Sequence, residues 1–220
     1  MSRLHPDTFE FLKQLAANNS KEWMDANRPW YQEIRQGLID FAQDLNDAFA
    51  EVYPMPTSDI RKNVARINNN RRFQPNKPIY KDHFGLMMKR RSPKHSDFYI
   101  HLAPETCFVG TGLYHPPKEA LDALRDLIAQ KGDVLRELKK KPAFKKYYGE
   151  FSGQKLKSYP RGFSPDHPQI DLLRYKDLII TSDLAASSFL EEEIESILKV
   201  HFAAAQDFMD FIDEALELQF

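Results

Sequence analysis

The segment Asp97–Tyr114, DFYIHLAPETCFVGTGLY, carries the strongest strand pattern of the chain. In its first half, apolar residues at positions 98, 100 and 102 alternate with Tyr99 and His101, which is typical of a strand with one buried face. Its second half, Cys107–Tyr114, is again mostly apolar or small. Because only Pro104-Glu105-Thr106 separates the two halves, we predict an antiparallel hairpin.

Further strand patterns flank this hairpin at 64–67, 84–88 and 178–181. The last is a continuous apolar run, which favours a central strand buried on both faces. Helical patterns lie outside the strands, towards both ends of the chain. We therefore predict an α+β fold in a single domain, residues 1–220, with an antiparallel sheet in the middle of the chain packed by N- and C-terminal helices.

Capping residues and prolines mark where the helices begin. Asp7-Thr8-Phe9-Glu10 and Ser188-Phe189-Leu190-Glu191 both have the capping-box form, so we predict that the first and last helices start there. Ser20 is predicted to cap a short second helix, and Pro29 fits the first turn of a third. Two separate helices are predicted around residues 120–128 and 134–138.

Composition limits the class of protein. Of the 220 residues, 42% are hydrophobic and 29% are charged, which is ordinary for a globular domain. A single cysteine, Cys107, excludes an internal disulfide and a cysteine-based zinc site. The sequence has no signal-peptide pattern and no apolar run of about 18 residues, so we predict a cytoplasmic protein without a membrane segment.

Familiar catalytic and nucleotide-binding motifs are absent from the sequence. There is no P-loop, no His-Glu-x-x-His zinc motif and no Gly-x-Ser-x-Gly elbow. Gly110-Thr111-Gly112 begins like a dinucleotide fingerprint, but His115 replaces the third glycine. The sequence therefore identifies no cofactor. No metal site is predicted either, because the histidines of the middle region lack metal-ligand spacing; these are His83, His95, His101 and His115.

Charge is unevenly distributed, although the formal net charge is −1. From Arg61 to Lys94 there are eleven basic residues and one acid, and from Asp177 to Phe220 there are eleven acids and one base. The near-zero net charge argues against a general nucleic-acid binder. Two interpretations stay open: the two segments neutralise each other in the fold, or the basic stretch binds an anion.

Residues 66–83, RINNNRRFQPNKPIYKDH, form a glycine-free polar loop between two predicted strands. Guanidinium groups bind planar oxyanions through paired hydrogen bonds, and ammonium groups add positive charge. We therefore predict that this basic loop binds a phosphate or carboxylate group, with possible help from the later residues Arg161 and Arg174. The predicted ligand-binding residues are Arg66, Arg72, Lys77, Tyr80 and Lys81, with Tyr80 orienting the ligand. In the alternative interpretation the arginines pair with the acidic C-terminal helix.

The same stretch resembles a mainly bacterial family of conserved hypothetical proteins, the Domain of Unknown Function 2461 family. The family hallmark runs Arg-x-x-Arg-Asp-x-Arg-Phe, then Asp or Asn followed by Lys, then Tyr-Lys. Similar blocks follow in the same order along nearly the whole chain, among them residues 11–23, 99–113 and 160–174. The resemblance implies membership but no reaction, because the family has no assigned activity. The residues that fit the hallmark are Arg66, Arg72, Phe73, Asn76, Lys77, Tyr80 and Lys81.

Three residues depart from the family's pattern. Asn69 and Asn70 stand where the hallmark has an arginine and an aspartate, and Ala103 stands where the resemblance predicts an acid before Pro104. In an enzyme, a carboxylate at such positions would be the natural general base or metal ligand. The resemblance therefore implies that catalysis would suffer from these changes more than binding would.

The function that these observations favour is binding of a small anionic or phosphorylated ligand at the basic loop. One alternative is an enzyme acting on a phosphate- or carboxylate-bearing substrate, with His83, His101 or Tyr80 transferring the proton. Another is a structural or partner-binding protein whose basic loop docks on acidic helices. Nucleic acid is disfavoured, because no known binding module is present. The sequence does not indicate an oligomeric state.

Overall fold

The computed structural model describes residues 3–56, 59–72, 74–90 and 96–217. Its helices are α1 (Thr8–Ala17), α2 (Lys21–Ala26), α3 (Arg28–Ala50), α4 (Lys118–Lys140), α5 (Pro142–Tyr147), α6 (Ile170–Leu173) and α7 (Ile194–Glu217). Its strands are β1 (Phe84–Met88), β2 (Phe98–Leu102), β3 (Cys107–Leu113) and β4 (Leu178–Leu184). None of these helices is both long enough and apolar enough to cross a membrane.

The four strands form one antiparallel sheet in the order β1-β2-β3-β4. The hairpin of β2 and β3 and the α+β class, with helices towards both ends of the chain, are confirmed. The prediction of a central strand at 178–181 is wrong, because β4 lies at the edge of the sheet. Ser152 exchanges two backbone hydrogen bonds with Ile179, which covers part of this edge and explains why an apolar run is tolerated there.

The helix starts agree with the sequence signals only in part. The hydroxyl of Ser20 accepts a hydrogen bond from the Trp23 N–H at 3.2 Å, and Pro29 lies in the first turn of α3, so both predictions are confirmed. The predicted start of the last helix is wrong. Residues Ala186–Leu190 form a separate 3-10 turn, and α7 begins at Ile194.

Two other predictions differ from the structure in detail. Val64 forms an isolated bridge with Leu86, so 64–67 is not a strand. The two helices predicted after the sheet are one helix, α4, which is interrupted at Lys131, where φ is −129° and ψ is 20°. The neighbouring Gly132 leaves room for Gln169, whose side chain would lie 2.7 Å from a Cβ at that position. The glycine allows α4 to continue past this contact.

Contacts between residues divide the chain into two compact units. The first comprises Met1–Met88, Tyr99–Val109 and Asp183–Val200, and the second comprises Lys89–Phe98, Gly110–Ser182 and His201–Phe220. In the first unit, the buried ring of Phe11 packs against Trp30 and Phe84. In the second, Phe98 packs edge-on against Phe202. The prediction of one domain over residues 1–220 stays a prediction.

Candidate functional site

The basic loop begins and ends in a short two-stranded ladder within the first unit. The backbone N–H of Lys81 donates to the carbonyl oxygen of Ile67 at 2.8 Å, and the N–H of Asn69 donates to that of Ile79 at 3.0 Å. The described residues between 70 and 78 are exposed. The ladder therefore fixes both ends of the predicted loop, and an exposed turn connects them.

Tyr80 is buried, and its backbone is held from two sides. Across the ladder it pairs with Asn68. On the other side, the Asn19 amide donates from Nδ2 to the Tyr80 carbonyl oxygen and accepts the Tyr80 N–H at Oδ1, both at 2.9 Å. The junction between α1 and α2 and the ladder together set the position of the Tyr80 ring.

The Tyr80 cavity, as we name it, is an open cleft of about 370 Å³ in the first unit. Its wall combines basic, amide, aromatic and apolar side chains, a mixture that suits a small organic ligand. The lining residues are Lys21, Met24, Arg28, Tyr31, Ile67, Asn68, Ile79 and Tyr80. Of the five residues that the sequence predicted as ligand-binding, Tyr80 belongs to this wall.

Two basic residues of the wall share one acid. Nζ of Lys21 lies 2.6 Å from Oδ2 of Asp25, and Nη2 of Arg28 lies 2.5 Å from Oδ1. The hydrogen bond from Lys21, followed by that from Arg28, lowers the pKa of Asp25. Because Asp25 is ionised, these three residues carry one net positive charge. Burial raises the pKa of Tyr31, so its hydroxyl keeps its proton as a hydrogen-bond donor.

Lys81 contacts the backbone of Arg66 and lies within reach of its positive charge. Nζ of Lys81 donates to the backbone carbonyl oxygen of Arg66 at 2.5 Å. Burial, followed by the charge of Arg66, lowers the pKa of Lys81. Within the described part of the chain, neither side chain makes an ion pair with a carboxylate. Ile67 and Tyr80, the chain neighbours of this pair, both line the Tyr80 cavity.

Arg72 and Lys77 lie in the exposed turn and are not part of the cavity wall. The backbone N–H of Arg72 donates to Oδ1 of Asn70 at 3.1 Å, and Nε of Arg71 donates to the Pro75 carbonyl oxygen at 3.0 Å. The turn is therefore ordered by its own polar groups. The hallmark residue Phe73 and the basic residues Arg91 and Lys94 lie outside the described residues, as does His95.

The alternative interpretation, docking on the acidic C-terminal helix, applies to Arg90. Its side chain is fully buried and bonds to Asp210 on α7, and its Nη1 lies 3.5 Å from Oδ2 of Asp213. Lys131 and Lys141, which pair with other α7 carboxylates, come from outside the basic stretch. Arg90, two residues after the end of β1, therefore contributes to the core of the second unit.

The two later arginines also belong to the second unit. Arg174 donates to the carbonyl oxygen of Leu156 through Nε at 3.0 Å and through Nη2 at 2.8 Å. Arg161 is exposed. The guanidinium of Arg174 therefore holds a neighbouring backbone segment, and its suggested contribution to the anion site stays a prediction.

A second cleft, the His101 cavity, lies in the first unit and measures about 450 Å³. Its wall comes from α1, from the segment that follows Tyr80 and from the turn between β2 and β3. Ala103, where the resemblance predicts an acid, is part of this wall, whereas Asn69 and Asn70 are not. The lining residues are Leu12, Lys13, Ala16, Asp82, His101, Ala103, Pro104, Glu105 and Thr106.

His101 is held from three sides. Its Nδ1 lies 3.1 Å from the Tyr99 hydroxyl. Its ring stacks on Phe108 with a centroid distance of 4.7 Å, and it meets the His83 ring at an angle of 31° with a centroid distance of 4.4 Å. Nδ1 of His83 in turn lies 2.9 Å from Oδ1 of Asp82. Two polar pairs, Asp82 with His83 and His101 with Tyr99, thus meet where the two imidazole rings contact each other.

The protonation states of this cluster follow from burial and from its hydrogen bonds. Burial, followed by the nearby His83, lowers the pKa of His101 to about 4. Burial raises the pKa of Tyr99 to about 12. The hydrogen bond with His83 lowers the pKa of Asp82. At neutral pH the cluster therefore contains a neutral imidazole, a protonated phenol and an ionised carboxylate, which are the states that acid–base chemistry uses.

Sequence reasoning missed Lys21, Arg28 and Tyr31 as site residues. Lys21 and Arg28 are seven residues apart, which is two turns of a helix, but α2 ends at Ala26 before α3 begins at Arg28. The spacing was therefore not readable as one helical face. In the part of the chain that the structure describes, no group of three or more His, Cys, Asp or Glu residues is placed to hold a metal ion.

Comparison with known proteins adds one family match. The family model described as "Conserved hypothetical protein (DUF2461)" matches residues 7–211 of the 220-residue chain. This range includes both cavities and the whole sheet. No curated protein and no solved structure matches the chain at a significant level.

Proposed function

Because the chain belongs to the DUF2461 family of conserved hypothetical proteins, which has no assigned activity, we propose a function from its geometry. The protein binds a small ligand that carries a phosphate or carboxylate group. Arg66 and Lys81 bind the anionic group, and the Tyr80 cavity accommodates the rest of the ligand.

The like-charge pair is the observation that carries this proposal. Burial and the charge of Arg66 already disfavour the charged form of Lys81, as the lowered pKa of Lys81 indicates. Two neighbouring cations that have no carboxylate partner repel each other, and a bound anion offsets that repulsion. The guanidinium of Arg66 offers two parallel donors to an oxyanion, and the ammonium of Lys81 adds a point charge.

The Tyr80 cavity fits the remainder of such a ligand. Its volume, about 370 Å³, lies in the range of roughly 300–1,000 Å³ that is typical of small-molecule sites. Met24 and Ile79 supply apolar surface, and Tyr31 and Asn68 supply donors and acceptors. The single cysteine favours a cytoplasmic protein, so phosphorylated metabolites and dicarboxylates of the cytoplasm are the ligands to test first.

Thermal unfolding in the presence of single anions tests this proposal. The series comprises inorganic phosphate, sulfate, nucleotides, sugar phosphates, dicarboxylates and a short oligonucleotide. A ligand present at about 100 times its Kd stabilises the folded state by roughly 2.7 kcal/mol, which raises the Tm by several degrees. We expect Arg66→Ala and Lys81→Ala each to weaken binding by about 1.5–3 kcal/mol, the range for hydrogen bonds to charged groups.

Matched controls come from the same basic stretch. Arg61 and Lys62 are exposed and lie outside the Tyr80 cavity, so Arg61→Ala and Lys62→Ala should keep the full shift. An equal loss in these controls would indicate general charge attraction rather than a site. A shift with the oligonucleotide alone, which falls steeply with salt, would point to nucleic acid. If no anion raises the Tm, the proposal is wrong and docking on a partner becomes the better interpretation.

A further inference from the structure

We propose that the His101 cavity is a catalytic centre for the hydrolysis of a neutral carboxylic ester, with His101 as the general base that activates water. This inference goes beyond the anion binding proposed above and does not depend on it. The Tyr80 and His101 cavities share no lining residue.

The hydrogen bonding of the imidazole leaves one nitrogen available. The Tyr99 hydroxyl pairs with Nδ1. Nε2 has no hydrogen-bond partner among the described residues. It also does not belong to the side-chain nitrogen and oxygen atoms of these residues that are buried without a partner. Nε2 is therefore open to solvent, on a ring that lines the cavity. In the tautomer with the proton on Nδ1, that proton is donated to the Tyr99 oxygen, and the Nε2 lone pair is free to accept a proton.

Among the neighbours of His101, Asp82 favours the charge that develops on the ring, whereas burial and His83 oppose it. Asp82 is ionised, because its hydrogen bond with His83 holds its pKa low, and its charge favours the imidazolium form of His101. The rings of His83 and Phe108 limit rotation of the imidazole. Tyr99 is a positioning residue, since it acts on the reaction through His101. An imidazole held at one nitrogen by a hydrogen bond, with a carboxylate nearby, is a combination that acyl-transfer sites also contain.

Charge in the cavity decides the class of ester. Asp82 and Glu105 contribute two carboxylates to the wall, against one ammonium group from Lys13. This balance repels a phosphate monoester, which carries about two negative charges near neutral pH. A neutral carboxylic ester meets no such repulsion. Leu12 and Ala16 give the same wall an apolar part that suits an acyl chain.

The reaction balances with the residues of this cavity. As the water O–H bond breaks, the proton goes to Nε2 of His101 and the oxygen forms a bond to the ester carbon. The carbonyl electrons move to the carbonyl oxygen, whose negative charge Lys13 can stabilise. The oxyanion then collapses, the ester C–O bond breaks, and the alcohol leaves with the electron pair and takes the proton from His101. The products are a carboxylic acid and an alcohol.

Hydrolysis of p-nitrophenyl acetate by the full chain, with a metal chelator present, tests this inference. We expect saturable turnover above the rate in buffer. His101→Asn should lower kcat/KM about 100-fold, at the lower end of the range for general base catalysis. Ala103→Trp should block the cavity and abolish turnover while leaving the imidazole in place. We expect p-nitrophenyl phosphate to be hydrolysed no faster than in buffer.

Three further measurements separate catalysis from a structural effect. His115→Asn is the matched histidine control, because His115 is exposed and its φ of 47° suits asparagine; its rate should equal that of the wild type. Tyr99→Phe should lower kcat more than it changes KM. The wild-type rate should fall as the pH drops towards about 4, where His101 becomes protonated. The other titratable groups that face His101 are Lys13, Asp82, His83, Tyr99 and Glu105.

Several results would overturn the inference. These are a wild-type rate equal to that of His101→Asn, full activity in Ala103→Trp, and no saturable turnover at all. If His101→Asn does not fold, as judged by its Tm, Ala103→Trp and Tyr99→Phe decide. Loss of ester hydrolysis with an intact phosphate-induced Tm shift would leave the anion-binding proposal standing, since the two readouts are independent.

Discussion

The side-chain amide of Asn19 binds both backbone polar groups of Tyr80, each at 2.9 Å. A carboxamide offers a donor and an acceptor side by side, so it replaces the neighbouring strand that Tyr80 lacks on that side. The contact links residues that are 61 positions apart. The wall of the Tyr80 cavity therefore depends on a residue in the junction between α1 and α2.

Replacing Asn19 should loosen this wall. We expect Asn19→Ala to lower the free energy of unfolding by about 2 kcal/mol, because two hydrogen bonds of about 1 kcal/mol each are lost. This corresponds to a fall in Tm of about 4–8 °C for a chain of this size. Asn19→Asp should be similar, since it places an oxygen against the Tyr80 carbonyl oxygen. The exposed Asn76→Ala is the control, and equal Tm values for all three variants would contradict the expectation.

The Asn19 contact illustrates what the sequence could and could not predict about the site. Tyr80 was identified as a site residue because a tyrosine within a basic stretch suits anion recognition. Asn19 carries no such signal, since a local pattern contains no information about a partner 61 residues away. Lys21 and Arg28 were missed for the same reason, because they converge only when two separate helices pack.

For the fold as well, local sequence patterns predicted some features, whereas contacts between distant residues could not be predicted. Alternation in β2 predicted that Tyr99 and His101 share one face, and the structure pairs them at 3.1 Å. The contact between His83, which immediately precedes β1, and His101 depends on how β1 lies beside β2, and no alternation pattern contains that information. The capping-box form at Ser188 was misleading, because that segment closes a 3-10 turn and Ile194 begins the helix.

Acid should destabilise the protein through His101. Its pKa is lowered from 6.5 to about 4 in the folded state, so between these values the unfolded chain binds a proton that the folded chain does not. The free energy of unfolding should therefore fall as the pH drops from about 6.5 to about 4. Urea unfolding of His101→Asn should give a shallower decline over this window than the wild type. Identical declines in the two proteins would rule out this role of His101.

Gly85 in β1 leaves room for the ring of Tyr99. A Cβ at this position would lie 2.8 Å from both Cε2 and the hydroxyl oxygen of Tyr99. We expect Gly85→Ala to push the ring aside and to lower the free energy of unfolding by about 1–3 kcal/mol, as overpacking does. In a Tyr99→Ala background the same change should cost little, so the double-mutant cycle should be strongly non-additive. Additive costs would show that the ring and the glycine do not interact.

Helix α7 offers a buried and an exposed ion pair for comparison. The side chain of Asp213 is 6% exposed and faces the fully buried Arg90, and it also accepts hydrogen bonds from the N–H and hydroxyl of Ser96, both at 2.7 Å. The side chain of Asp207 is 57% exposed and pairs with Lys141. The two acids therefore differ mainly in burial and in the number of donors that depend on them.

Removing these two acids should have very different effects. Asp213→Ala should lower the free energy of unfolding by about 3–5 kcal/mol, because it takes a carboxylate from a buried guanidinium and leaves the Ser96 donors without their acceptor. Asp207→Ala should cost less than about 1 kcal/mol, and high salt should reduce that cost further. Arg90→Met combined with Asp213→Leu should recover part of the loss, since it removes the charges together. Equal costs for the two single variants in urea unfolding would mean that burial does not govern these pairs.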